Sequence, residues 1–448
     1  MSRLVVLSNR GPLSWSRGPD GTLESRRGAG GLVSALTPAL EASGGTWIAA
    51  AMSDADRQAP PTPGVELLPV DPTAFAAYRE TVADGFLWFA HHDLWDRART
   101  PVIDAAAHDA WDAYVEVNRT FADAALATAG DVVAVQDYHL SLVPAMLKAA
   151  RPDLPVVHFS HTPFAPVTAL SVLPQRWCEE LVRGLAAADL IGFHTPRWAR
   201  RFSDAVVRWG GGLAARTGAF PLGPDVAALV RDAAAPAVDA ELAALDAVLD
   251  GRRCVIRVDR AELSKNVLRG LLAFDALLTR RPELAATTAH VVLLNPSRGY
   301  DAYVRYLDEC LALVDAINAR HRTTAGRDAV VCFAEDRFAR SLAAYRRADV
   351  VVVNAISDGL NLVAKESALV NEHDSVLVLS TETGAHVELA DACITVDPYD
   401  VDATSHAIEN ALELDPATKR SQAALLRQLA ATNPPGDWLA AQLAAIGA

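Results

Sequence analysis

Polar and charged side chains recur directly after short apolar runs, which is where α/β proteins bind their ligands. In the second half of the chain, Val258-Asp259-Arg260 is followed within a few residues by Lys265. Because arginine donates a two-pronged hydrogen-bond fork and lysine supplies a point charge, this pair can neutralise a diphosphate. Only four of the 41 basic residues are lysines, so Lys265 is a candidate for chemistry rather than for a solvated basic surface.

Two later segments offer further groups for the same chemistry. Asp358 follows the run Val350–Val353 and can cap the next helix. Glu366 lies two helical turns further on the same face, where it can reach ribose hydroxyls, whereas the neighbouring Lys365 can equally be a surface lysine. The segment Asn295–Arg298 follows another apolar run and ends in a third cation.

The first half repeats this pattern. Arg10 follows the run Leu4–Leu7, and the segment Gly28–Leu32 opens a helix whose amide groups can approach a phosphate. Asp137 and His161 end two successive runs. A lone Asp or His there could simply cap a helix, but two such strand ends together favour a functional site.

The elements that must position these residues are buried parallel strands. Continuous apolar runs separated by Ala/Leu/Arg stretches of helical period predict right-handed βαβ units and doubly wound sheets. The runs are Leu4–Leu7, Val132–Val135, Val156–Phe159, Val255–Val258, Val291–Leu294, Val330–Phe333, Val350–Val353 and Val376–Leu379. They are too many for one sheet, so 448 residues predict two Rossmann-like domains, with ligands at the strand ends or between the domains.

Composition excludes several classes of protein. With a net charge of −14, the chain is a poor general binder of nucleic acid or of anionic membranes. No apolar run approaches the ~20 residues that a membrane helix needs, and the first run is too short for a signal peptide. Five scattered cysteines without CxxC spacing predict a reduced, cytoplasmic protein with no zinc site. Self-association is left open.

The ordered motifs resemble one family over roughly residues 4 to 400. They are Ser8–Pro12, Gly28–Leu32, Asp137–His139, His161–Phe164, Gly192–Thr195 and Asp358–Glu366. Together they resemble the trehalose-6-phosphate synthase family, glycosyltransferase family 20. The resemblance implies a GT-B fold, in which two Rossmann-like doubly wound domains enclose a deep interdomain cleft. The expected segments are an acceptor domain (1–224), a nucleotide-sugar domain (225–425) and a helix crossing back to the first domain (426–448).

The resemblance also implies an activity and its residues. The activity is metal-free, retaining transfer of a sugar from a nucleotide sugar of UDP or GDP type to a sugar phosphate, without a cofactor. The expected catalytic residues are Asp137, His161, Arg260 and Lys265. The expected donor-binding residues are Gly30, Gly31, Arg260, Lys265, Asp358, Asn361, Leu362, Val363 and Glu366. The expected acceptor-binding residues are Arg10, Trp88, Asp137 and Arg298.

Two departures from the family pattern leave the acceptor open. Glu262–Asn266 replaces the usual Asp-Tyr-Ser/Thr-Lys-Gly, and the acceptor-side Tyr/Asn/Phe-Ser-Asn motif is replaced by Tyr78–Asp84. The Lys-Asn pair and the Asn-Pro-x-Arg segment Asn295–Arg298 resemble the pseudo-glycosyltransferase branch, the validoxylamine 7′-phosphate synthases, which join a nucleotide-activated cyclitol to an aminocyclitol phosphate. Gly28–Leu32 and Asp358–Glu366 are closer to the true synthases. Trehalose-6-phosphate synthase activity is therefore the simplest hypothesis, a pseudo-glycosyltransferase is the alternative, and a non-catalytic regulatory homologue is the third.

Overall fold

The chain folds into two compact units. One contains Met1–Leu222 and Asn433–Ala448, and the other contains Gly223–Thr432. The structure, a computed structural model, describes residues 2–18, 20–28, 31–297, 301–323 and 326–447. None of the helices in these ranges combines the length and the apolar composition that a membrane crossing requires.

The first unit is built on a parallel sheet. Its strands, and those of a separate β2–β3 hairpin, are β1 Leu4–Ser8, β2 Leu13–Arg17, β3 Leu23–Arg27, β4 Thr46–Ala50, β5 Val65–Leu68, β6 Val132–Gln136, β7 Val156–Ser160, β8 Leu190–Phe193 and β9 Thr217–Ala219. The sheet order is β5-β4-β1-β6-β7-β8-β9. Every residue of β1, β6 and β7 is buried, as expected of strands covered by helices on both faces.

Helices and turns connect these strands. They are α1 Gly31–Ser43, α2 Asp54–Arg57, α3 Pro72–Ala76, a π-helix Ala77–Leu87, α4 Trp88–His91, α5 Ala105–Ala127, a 3₁₀ turn Tyr138–Leu140, α6 Val143–Ala150, α7 Val167–Leu170, α8 Gln175–Ala186 and α9 Pro196–Trp209. The chain order reverses between β1 and β6, and the loops after these strands therefore flank the switch point of the sheet, where ligands bind in such folds.

The second unit repeats the architecture with six parallel strands in the order β12-β11-β10-β13-β14-β15. The strands are β10 Arg253–Arg260, β11 Thr288–Asn295, β12 Val330–Phe333, β13 Val350–Val353, β14 Val376–Ser380 and β15 Ile394–Val396. Apolar clusters cover both faces of this sheet. Its switch point lies between β10, which ends at Arg260, and β13, the strand that precedes Asp358.

The helices of the second unit, and the last helix of the chain, complete the fold. They are α10 Val226–Ala233, α11 Pro236–Leu249, a 3₁₀ turn Leu263–Lys265, α12 Val267–Arg280, α13 Leu284–Thr287, α14 Asp301–His321, α15 Phe338–Arg347, α16 Val363–Val370, α17 His386–Leu389, a 3₁₀ turn Ala390–Ala392, α18 Val401–Glu413, α19 Pro416–Ala430 and α20 Pro435–Ile446. Helix α20 belongs to the first unit and packs against α1, β7 and β8.

The predicted break after residue 425 needs correction. It falls inside α19. The end of this helix belongs to the second unit, because Leu426 and Ala430 are buried in the apolar core of that unit. The division comes instead between Thr432 and Asn433. The predicted break after residue 224 lies two residues from the division at Leu222 and Gly223.

Candidate active site

In the second unit, the loops that follow β10 and β13 bring opposite charges together. The ammonium nitrogen of Lys265 lies 2.5 Å from Oδ2 of Asp358. Burial disfavours the ammonium, but the carboxylates of Asp358, Asp259 and Glu262 outweigh it and raise the pKa of Lys265. Lys265 is therefore charged at neutral pH and is held in place before any ligand binds.

The second predicted cation is more open. The side chain of Arg260 is 51% exposed, and its Nε lies 3.3 Å from Oε1 of the fully buried Glu262. The same carboxylate oxygen accepts a hydrogen bond of 2.8 Å from Ser297 Oγ. Glu262 thus fixes one end of the Arg260 guanidinium, while the exposed part remains accessible to an anion.

Asp358 is held by contacts within its own loop and does not cap the helix that follows. Its Oδ2 accepts a hydrogen bond of 3.0 Å from Asn361 Nδ2. The expected cap is supplied by Asn361 instead, whose Oδ1 accepts from the amide of Ala364 in the first turn of α16. Asn361 has φ 73°, a left-handed conformation that asparagine tolerates better than most residues. Leu362 follows as the N-cap residue, and Val363 begins α16.

A neighbouring loop clamps the Asp358 segment from one side. The amide of Gly384 donates to the Asp358 carbonyl at 3.0 Å. A Cβ at position 384 would lie 2.0 Å from the Gly359 carbonyl oxygen, so only glycine allows this close approach. The loop that carries Gly384 therefore fixes the backbone at Asp358 and Gly359.

Helix α16 carries two ionisable groups with altered properties. Burial raises the pKa of Glu366 to about 7, so its carboxyl group is about half ionised at neutral pH. The reading of Lys365 as a surface lysine is wrong. Its side chain is fully buried, its Nζ lies 2.6 Å from Glu388 Oε2, and burial lowers its pKa.

In the first unit, Asp137 follows β6 in a strained conformation. Its φ of 69° and ψ of 170° fall in a region that is populated almost only by glycine. The strain is maintained by three contacts: its amide donates to Phe159 O at 2.7 Å, His158 Nε2 donates to its carbonyl at 3.1 Å, and its Oδ1 accepts from the His161 amide at 3.1 Å. A strained backbone that is held by several contacts is typical of functional positions.

His161 lies beside Asp137 as a neutral imidazole. Burial, with a smaller contribution from His158, lowers the pKa of His161 to about 3. Its Nε2 lies 3.0 Å from Gln136 Oε1, within hydrogen-bond distance. Its ring also lies 5.8 Å from the ring of Trp438 on α20, a neighbour that the sequence did not predict.

The altered segment Tyr78–Asp84 contacts the loops that follow β1 and β6. It lies in the π-helix, a rare conformation that is frequent at functional sites. Tyr78 donates to Asn9 Oδ1 at 3.3 Å, and Tyr138 donates to Asp84 Oδ1 at 3.2 Å. The departure from the family pattern therefore touches residues adjacent to Arg10 and Asp137.

The remaining predicted residues belong to the acceptor site (Arg10, Trp88 and Arg298) and to the donor site (Gly30 and Gly31). Arg10 is exposed after β1, the strand next to β6. Trp88 is buried, its ring centre lying 3.9 Å from that of His92 and 6.1 Å from that of Tyr138. Gly30 and Arg298 lie outside the described residues, and Gly31 begins α1.

Sequence reasoning missed Arg257 and Glu262, which surround Lys265. The signal for Arg257 was present, because an arginine in the middle of an apolar strand is unusual. Within the described ranges, no group of three or more His, Cys, Asp or Glu side chains is placed to hold a metal ion.

Comparisons with known proteins agree over nearly the whole chain. The model of glycosyltransferase family 20 matches residues 2–447. A trehalose-6-phosphate synthase of Mycolicibacterium smegmatis is 35% identical over 96% of this chain and 90% of its own length. One of Mycobacterium marinum is also 35% identical, over 96% of this chain and 91% of its own length.

Solved structures give the same result. An α,α-trehalose-phosphate synthase (UDP-forming) from Burkholderia vietnamiensis has a TM-score of 0.87 and 26% identity, covering 100% of this chain and 99% of that one. An E. coli protein described as bound with UDP-2-fluoro glucose has a TM-score of 0.86 and 26% identity, covering 99% of both chains. These likenesses confirm the predicted fold class, two Rossmann-like domains of the GT-B type.

Proposed function

Because the chain belongs to glycosyltransferase family 20, we propose that it transfers a sugar with retention from a nucleotide diphosphate sugar to a sugar phosphate. The simplest form of this reaction joins glucose to glucose 6-phosphate and gives α,α-trehalose 6-phosphate, the activity for which its relatives are named. The observation that carries the proposal is the charged Lys265 held against Asp358 at the switch point of the second sheet.

The reaction requires stabilisation of a leaving group. The bond between the anomeric carbon and the diphosphate oxygen breaks, and the acceptor hydroxyl oxygen bonds to the same face of that carbon. The hydroxyl proton passes to an oxygen of the departing phosphate. Negative charge therefore builds up on the diphosphate, where Lys265 and the exposed part of Arg260 supply fixed positive charge.

The remaining groups orient the two substrates. In this proposal Asp358 accepts hydrogen bonds from donor-sugar hydroxyls, and Glu366 accepts them from the ribose. Asp137 and the neutral His161 line the reacting centre of the first unit, and Arg10 and Arg298 hold the acceptor phosphate. The strained backbone of Asp137 supports this role, because it fixes the carboxylate relative to His161.

The second candidate is the pseudo-glycosyltransferase reaction, with an aminocyclitol phosphate as acceptor. It is favoured by one observation: Tyr78 and Asp84, from the segment that departs from the synthase pattern, contact the loops after β1 and β6. A change there alters which ring is accepted while the phosphate-binding arginines remain.

A screen of donors and acceptors tests these alternatives. Purified protein is incubated with UDP- or GDP-glucose and with glucose 6-phosphate, glucose or an aminocyclitol phosphate, and nucleoside diphosphate release is measured. We expect release with glucose 6-phosphate and little with glucose. Preference for the aminocyclitol phosphate would favour the second candidate, and donor binding without release would favour a regulatory homologue. Equal rates with glucose and glucose 6-phosphate would contradict an acceptor-phosphate site.

A further inference from the structure

An arginine is completely buried behind the loop that carries Lys265. Arg257 lies in β10, and its side chain has no exposed surface. Its Nε and Nη2 donate to Asp259 Oδ2 at 3.0 and 2.7 Å. The same Nη2 donates to the main-chain carbonyl of Lys265 at 2.9 Å, and Nη1 donates to that of Val267 at 3.4 Å.

We propose that Arg257 is a positioning residue of the transfer reaction, which sets the location of the Lys265 ammonium by holding the Lys265 main chain. The inference rests on the proposed function, because it requires Lys265 to act on the leaving diphosphate. Arg257 itself does not touch the substrate, since its side chain is fully buried behind the loop that carries Lys265.

The loop needs such an anchor because it has little regular structure of its own. Lys265 ends a three-residue 3₁₀ turn, and Asn266 then adopts a left-handed conformation with φ 57° before α12 begins. A lysine side chain is flexible, so the position of its ammonium depends on where its backbone is fixed. The fork of Arg257 joins β10 to the carbonyls on both sides of Asn266.

The surroundings of Arg257 favour a positioning role over a stabilising one. Replacing a buried ion pair by apolar residues is often neutral or stabilising, so stability alone does not explain an arginine at this point of an apolar strand. Helix α12 also carries Gly270, where an added Cβ would lie 2.1 Å from Arg257 Nη1. Glycine within a helix is destabilising relative to alanine, and here it leaves room for the guanidinium.

Arg257→Lys is the most informative variant. It keeps a positive charge beside the buried Asp259. The single ammonium group of a shorter side chain, however, cannot hydrogen-bond Asp259 and the carbonyls of Lys265 and Val267 at the same time. Gly270→Ala is an independent variant that retains both charges and displaces the guanidinium. Arg252→Met is a matched control, because Arg252 is also buried in the second unit and bonds carbonyls of Val248, Leu249 and Asp328 away from Lys265.

The test is a double-mutant cycle on kcat with Lys265→Ala, using the full chain and checking each variant by thermal unfolding. We expect Arg257→Lys and Gly270→Ala each to lower kcat on the order of 10- to 100-fold, the effect of misplacing a catalytic group by about 1 Å. Arg257→Lys should add almost nothing in the Lys265→Ala background, since its effect passes through that side chain. Arg252→Met should lower the melting temperature without changing kcat of the folded enzyme.

The possible failures are distinguishable. If Lys265→Ala lowers kcat and folded Arg257→Lys does not, the positioning role is wrong and the proposed function stands. If the two effects multiply in the double variant, Arg257 acts independently of Lys265, and the inference is again overturned. If Lys265→Ala leaves kcat normal, the diphosphate role of Lys265 in the proposed function fails first, and the inference fails with it.

Discussion

Glu366 should make donor binding depend on pH near neutrality. Burial raises the pKa of its carboxyl group to about 7 in the ligand-free protein. If the ribose hydroxyls donate to this group, the ionised form binds better, and binding weakens as pH falls through the pKa. For one such group, the dissociation constant at pH 6 should be about tenfold that at pH 8, equivalent to about 1.4 kcal/mol.

Calorimetric titration with the nucleoside diphosphate across pH 5.5 to 8.5 measures this effect. The ligand's terminal phosphate also titrates near pH 6, so the wild-type curve alone does not isolate Glu366. Glu366→Gln supplies the correction, because its amide cannot ionise and its curve contains only the ligand's titration. Glu372→Gln is a control for a Glu-to-Gln change at the surface, since Glu372 pairs with Arg346 there.

The informative quantity is the ratio of the wild-type and Glu366→Gln dissociation constants. We expect this ratio to rise about tenfold from pH 8 to pH 6, while the ratio for Glu372→Gln stays constant. A ratio for Glu366→Gln that does not vary with pH would contradict this prediction. It would show that the carboxylate of Glu366 does not accept hydrogen bonds from the bound nucleotide.

Three further predictions follow from the site and the core. In steady-state kinetics, Arg298→Ala should raise the acceptor KM about 10- to 150-fold, because one charge-assisted contact is lost, and should leave the donor KM nearly unchanged. An effect on the donor KM alone would contradict this prediction. Turnover should survive exhaustive EDTA treatment, and activity that is lost and then restored by Mg²⁺ or Mn²⁺ would refute a metal-free mechanism. Burial lowers the pKa of His290, in β11, to about 3. Between about pH 3 and pH 6.5 the unfolded chain therefore binds a proton that the native protein excludes, so the free energy of unfolding decreases as the pH falls. Urea unfolding at pH 7.5 and 5.5 should show wild type losing about 1.4 kcal/mol more than His290→Leu, and equal losses would contradict this.

The sheets were predictable because parallel strands buried on both faces leave a clear signal. Runs such as Val132–Val135 and Val350–Val353 are continuously apolar and short, and each lies within a strand of the structure. Since ligands in such folds bind beyond the carboxyl ends of strands, the residues after these runs could be chosen as candidates before the sheets were known. The pairing of Lys265 with Asp358 agrees with that choice.

What the sequence could not supply were contacts between distant segments. Lys365 pairs with Glu388, 23 residues away, and the ring of Trp438 reaches His161 from the last helix. Neither contact follows from local spacing. Asn361 rather than Asp358 accepts a hydrogen bond from the first turn of α16, because the left-handed turn at Asn361 places its side-chain amide beside the helix. Asp358 forms an ion pair with Lys265 instead. Propensity rules rank both residues as caps and do not separate them.

Retaining transfer to a phosphorylated sugar can be tested by determining the structure of the product. Nucleotide-activated glucose labelled with ¹³C at the anomeric carbon is incubated with glucose 6-phosphate, and the product is examined by NMR. We expect a non-reducing disaccharide phosphate in which both anomeric carbons are α and share one oxygen. A β-configured labelled carbon, or free labelled glucose as the only product, would contradict it.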